Sequence, residues 1–80
     1  MLLDFQSMKE KLKIDVVNAI YEEKDKQLKD VVSFDWYEKY KDSCTKIYEL
    51  RDILRVLPYC TVFSEIIMLR KGFNNIIKRV

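Results

Sequence analysis

Residues 2–20 read LLDFQSMKEKLKIDVVNAI, and the spacing of their apolar side chains decides the fold. Leu2, Phe5, Met8, Leu12, Val16, Ala19 and Ile20 recur at intervals of three and four, the pattern of a buried stripe along an α-helix. A second line, Ile14, Val17, Tyr21 and Leu28, falls on the opposite side of the same helix. A helix with two apolar faces is expected to lie between two partners. Glu22 to Lys29 is almost all charge and contains no helix breaker. It reads as a solvated continuation, with Glu22–Lys26 and Asp25–Lys29 in the favourable i,i+4 order.

Working outward, Asp30 to Ser33 reads as the first loop. Ser33 is the expected N-cap of a second helix, with Asp35 in its first turn, where negative charge suits the helix dipole. Trp36, Tyr37, Tyr40, Cys44, Ile47, Tyr48, Leu50, Leu54 and Leu57 share one broad face of that helix, and charged residues fill the other. Pro58 has no N–H for the Leu54 carbonyl and biases Leu57 away from α geometry, so it ends or kinks the helix. A third stripe follows in Val62, Phe63, Ile66, Ile67, Leu69, Phe73, Ile76, Ile77 and Val80. Gly72 at its edge is read in two ways: it permits close helix approach, or it splits the segment. The chain contains one glycine and one proline, too few turn residues for an all-β fold. The expected fold is all-α: a single domain over residues 1–80, a three-helix bundle with helices at about 3–30, 34–57 and 61–79.

Composition narrows the function. With no histidine, His-based acid–base catalysis, Ser-His and Cys-His nucleophile pairs and His metal ligands are all excluded. A single glycine excludes a glycine-rich phosphate loop. Cys44 and Cys60 are too few to close a structural zinc site or to form a disulfide framework. The expectation is a non-enzymatic protein with no metal, no cofactor and no small-molecule substrate. The N-terminus has no basic segment followed by an apolar run, so no secretory signal is read there. The longest uncharged stretch, Val56 to Ser64, is far short of the ~18–20 residues a membrane span requires. An intracellular, reducing location is expected.

The aromatic cluster carries the functional signal. Phe34, Trp36, Tyr37, Tyr40 and Tyr48 fall in and just before the second helix. They serve either as core, since aromatics bury the most area, or as interface anchors, a role in which Tyr and Trp are enriched. Together with the second stripe of the first helix they exceed what one small core needs. That surplus points to a protein partner or to self-association, with Trp36, Tyr37, Tyr40, Val17 and Tyr21 as partner-binding candidates. The alternative is nucleic-acid binding through the basic C-terminal end, where Arg70, Lys71, Lys78 and Arg79 face only one carboxylate, Glu65. The third helix also has the apolar stripe and basic face of a membrane-surface helix, although a core helix has the same composition.

Overall fold

The computed structural model describes residues 4–30, 32 and 34–78. Among the described residues three helices and one 3₁₀ turn form an all-α bundle: α1 over Phe5–Leu28, α2 over Trp36–Val56, a 3₁₀ turn at Leu57–Tyr59 and α3 over Phe63–Lys78. Each end lies one or two residues inside the bounds expected from the sequence, as fraying helix ends do. Leu2, Ser33, Arg79 and Val80 fall outside the described residues.

Local chemistry fixes the ends. Asp4 caps α1: its carboxylate accepts the Ser7 N–H at 2.7 Å, and that bond holds the carboxyl below its ordinary value. Asp35, expected inside the first turn of α2, occupies the N-cap position, and its carbonyl accepts the Lys39 N–H. Pro58 stops α2 as anticipated, and the chain tightens into the 3₁₀ turn, with the Cys60 N–H on the Leu57 carbonyl at 3.1 Å. The freed carbonyls of Pro58 and Cys60 accept the Lys9 ammonium of α1 at 3.4 and 3.2 Å. At the start of α3, the Glu65 carboxylate reaches back to the N–H groups of Thr61 and Val62 at 2.9 and 3.2 Å.

The hairpin register follows from these contacts. Lys9 meets the chain just past α2, and Gln27 meets Ser43 near its start, so α1 and α2 run antiparallel. Phe5 packs edge-to-face on Phe63 at 5.5 Å, and Arg70 donates to Asp15 at 2.8 Å, so α3 runs parallel to α1. The result is an elongated bundle of 49 × 20 × 18 Å. Its core is Leu12, Val16, Ala19 and Ile20 of α1, Leu50, Ile53 and Leu57 of the α2 side, and Cys60, Ile66, Phe73 and Ile76 of the α3 side. Ile53 lies outside the stripe expected for the second helix, yet it is buried in the core cluster.

The expectation that α1 lies between two partners holds only in part. Both α2 and α3 dock on its broad Leu12–Ile20 stripe, because three helices packed around one axis meet each other on adjacent flanks. The second stripe is left outside: Ile14, Tyr21 and Leu28 are 50–67% exposed.

Gly72 does neither of the two things expected of it. Helix α3 runs through it unbroken, and a Cβ placed there meets nothing within 4 Å. Gly72→Ala is therefore expected to stabilise the bundle by about 0.5–1 kcal/mol, the helix propensity difference, with no compensating clash. A urea midpoint below that of the parent chain would contradict this.

Candidate interaction surface

The turn between α1 and α2 shows what the aromatic cluster does locally. The Trp36 indole N–H donates to the Gln27 carbonyl at 3.1 Å, satisfying one of the last acceptors of α1. Its ring lies against Tyr40 at 5.8 Å, and both side chains are half-buried. Lys39 bridges the same turn to Asp30 at 2.7 Å, which raises the lysine above its ordinary value. Trp36 thus fastens the hairpin, with Tyr40 packed against its ring from the next turn of α2. Tyr37 points outward, 66% exposed, and Val32 and Phe34 in the turn are almost wholly exposed.

Val17 and Tyr21 stand elsewhere. With Ile20, Lys24, Arg51 and Leu54 they line a hollow of about 240 Å³ between α1 and α2. A neighbouring hollow of about 370 Å³ shares Val17 and Leu54 and continues past Lys13 and Lys9 to Leu57 and Pro58. The two form one groove along the side of the hairpin. Leu54 lies 18 residues beyond Trp36 on the same helix, about 27 Å along its axis. The five partner-binding candidates therefore do not form one patch. They mark the groove and the turn, with the exposed Tyr48 of α2 at an intermediate level. Phe34, Tyr48, Lys24, Arg51 and Leu54 were not among the candidates. The groove residues come from two helices in antiparallel register, a juxtaposition that no single-helix stripe reveals.

A buried polar cluster also lay outside the sequence reading, which took Glu22 to Lys29 as solvated throughout. Glu23 is only 7% exposed. Its carboxylate accepts the Ser43 hydroxyl at 2.6 Å and lies 3.2 Å from Lys46 and 3.4 Å from Lys26, while Gln27 donates to the same Ser43 oxygen at 3.0 Å. Burial pushes the Glu23 carboxyl up, but Ser43, Lys46 and Lys26 together hold it below its ordinary value. Lys26 pairs here with Glu23, three residues back, in place of the expected Glu22. A crevice of about 760 Å³ opens beside this cluster, lined also by Asp42, Thr45 and Ile77. The buried groups facing it are satisfied within the chain, which is what a structural network requires.

The basic end divides similarly. The Arg70 guanidinium is taken up by Asp15 and lies over the Phe73 ring at 5.6 Å. Asp15 is held below its ordinary value by Arg70 and by Lys11. Lys71 and Lys78 are exposed, and Arg79 lies outside the described residues. One of the four proposed phosphate contacts is thus committed to holding α3 on α1.

The thiols stand apart. Cys44 and Val56 are twelve helical residues from each other, about 18 Å, and Cys60 lies beyond, so the two sulfurs cannot bridge. Burial pushes the Cys60 thiol up. Among the described residues no three His, Cys, Asp or Glu side chains gather as metal ligands, and no helix is long and apolar enough to cross a membrane.

No family model, curated protein or solved structure matches this chain.

Proposed function

We propose that the chain is a non-enzymatic helical interaction module that binds a protein through the side of the α1–α2 hairpin facing away from α3. One observation carries the reading. Three of the four side chains in the second apolar stripe of α1, Ile14, Tyr21 and Leu28, are left exposed by a bundle that fills its core without them. Isolated exposed apolar groups are ordinary, but an exposed stripe at helical spacing, together with exposed tyrosines, has the composition of an interface. Tyr37 and Tyr48 of α2 are exposed as well.

No catalytic step is assigned. The carboxylates with shifted acidity, Asp4, Asp15, Glu23 and Glu65, are each engaged in a cap or an ion pair that the fold uses. The alternative reading, nucleic-acid binding by Lys71 and Lys78, is weaker because Arg70 already has its carboxylate.

The test compares the parent chain with an Ile14→Ala/Tyr21→Ala/Tyr48→Ala variant, by light scattering after gel filtration and by capture from the native cell. Association is expected in the parent and is lost in the variant, which keeps its helical circular dichroism. If one of the three is an interface hot spot, it accounts for about 2 kcal/mol or more of binding. A monomer that captures the same proteins with and without the three side chains would refute the proposal.

A further inference from the structure

The groove between α1 and α2 has a charge pattern that specifies more than an apolar contact. Its floor is Val17, Ile20, Leu54 and Leu57, half-buried or buried side chains that present apolar surface between the helices. Its walls are basic on both sides: Lys13 and Lys24 rise from α1 and Arg51 from α2, all exposed. Among the described residues none of these three makes an ion pair. Lys9 closes one end, and Glu10 is the only carboxylate among the described residues that line it.

The groove on the other flank of α1 is a control within the same molecule. It is also apolar and basic, lined by Met8, Ile66 and Ile67 with Lys11, Arg70 and Lys71. There, however, Asp15 answers two of the cations, Arg70 at 2.8 Å and Lys11 at 3.6 Å. In the α1–α2 groove Glu10 lines one end, but among the described residues it makes no ion pair with Lys13, Lys24 or Arg51.

We propose that the α1–α2 groove receives an acidic amphipathic helix of a partner protein, its apolar stripe on Val17, Ile20, Leu54 and Leu57 and its flanking carboxylates on Lys13, Lys24 and Arg51. From Lys9 to Lys24 the groove spans about 22 Å, the length of roughly four helical turns. Helix-in-groove recognition reads apolar anchors at intervals of three and four, and opposite charge along the rim fixes orientation and speeds encounter. A second copy of this chain, docked isologously, would set Lys13, Lys24 and Arg51 against their own counterparts. A nucleic-acid backbone would leave the apolar floor uncovered.

This inference rests on the interaction reading above, and its test separates the two. Two labelled synthetic peptides of about 18 residues share one leucine stripe at helical spacing and carry either glutamate or lysine on its flanks. Each is titrated against the full chain by fluorescence anisotropy at low and high salt. The glutamate peptide is expected to bind, more weakly as salt rises, and the lysine peptide not to bind. In a K13E/K24E/R51E variant with unchanged helical circular dichroism, affinity for the glutamate peptide falls by about tenfold or more, and the lysine peptide gains affinity. Equal binding of both peptides, no binding of the glutamate peptide, or indifference to the triple substitution overturns the inference. So does duplex DNA or an anionic vesicle that binds the parent chain more tightly than the peptide and loses its affinity in the same variant. If the glutamate peptide fails while the Ile14/Tyr21/Tyr48 variant still loses its captured partner, only the acidic-helix inference falls. If that variant also captures unchanged, both fall.

Discussion

Leu50→Ala is expected to destabilise the bundle by about 3 kcal/mol, within the range for truncating a wholly buried leucine. Leu50 has no exposed surface and belongs to the cluster that joins all three helices. Removing three heavy carbons there forfeits their transfer free energy and leaves a cavity that three rigid helices cannot easily close. The effect is large relative to the whole. A domain of this size has a stability of roughly 4–12 kcal/mol, and small single cores lie at the low end of such ranges. The substitution therefore brings the chain close to its unfolding threshold. Leu28→Ala, at an exposed position on α1, is expected to change stability by less than about 0.5 kcal/mol. Urea titrations followed by circular dichroism test both. A Leu50→Ala loss under about 1 kcal/mol would mean that α2 does not pack as described.

The second large effect concerns Glu23. Glu23→Ala removes the carboxylate that Ser43 and Lys46 address and strands the Lys46 ammonium, itself only 19% exposed, without a counter-ion. Breaking one side of a buried pair costs more than the pair contributes, so a loss of about 2–4 kcal/mol is expected at neutral pH. The double substitution Glu23→Leu/Lys46→Met removes both charges and is expected to recover most of it. Near-equal stabilities of Glu23→Ala and the double variant would contradict this reading of the cluster.

Glu23 also gives the fold a pH dependence whose sign is fixed. Its carboxyl titrates below the ordinary value of 4.5 in the folded chain, so the folded state favours the ionised form. That stability is present above about pH 4.5 and is lost as pH falls through the lower folded value. Asp15, lowered from 3.8 chiefly by Arg70, adds a loss in the same direction as pH falls through its own folded value. In Glu23→Gln the decline between neutral and acid pH is expected to be shallower than in the parent chain. Urea midpoints at the two pH values measure it, and parallel declines would exclude Glu23 as a contributor.

The helices were legible because their causes are local. The three- and four-residue spacing in α1 and α3 and the break at Pro58 each act within a few residues. Other features depend on partners far along the chain. Ile53 lies outside the stripe read from α2 alone, yet it is buried in a cluster to which all three helices contribute. Glu23 sits in a run of charge whose periodicity says solvent, and it is buried because Ser43 and Lys46 arrive opposite it from α2. Sequence leaves Trp36 open between core and interface, and its bond to Gln27 gives it a role in fastening the turn. The groove is not legible in sequence because Val17 and Leu54, the residues common to both of its hollows, lie on different helices.

By itself, then, the sequence determined an all-α chain of three amphipathic helices, with two apolar stripes on the first. Which stripe became core was decided only by tertiary structure. Periodicity gives the azimuth of each side chain around its own helix, but not the azimuth at which neighbouring helices dock. That is set by contacts such as Arg70 with Asp15, 55 positions apart, and Lys9 with Cys60, 51 apart. Those contacts bring α2 and α3 onto the Leu12–Ile20 stripe and leave Ile14, Tyr21 and Leu28 exposed, while Lys13, Lys24 and Arg51 line the α1–α2 groove with no ion pair among the described residues.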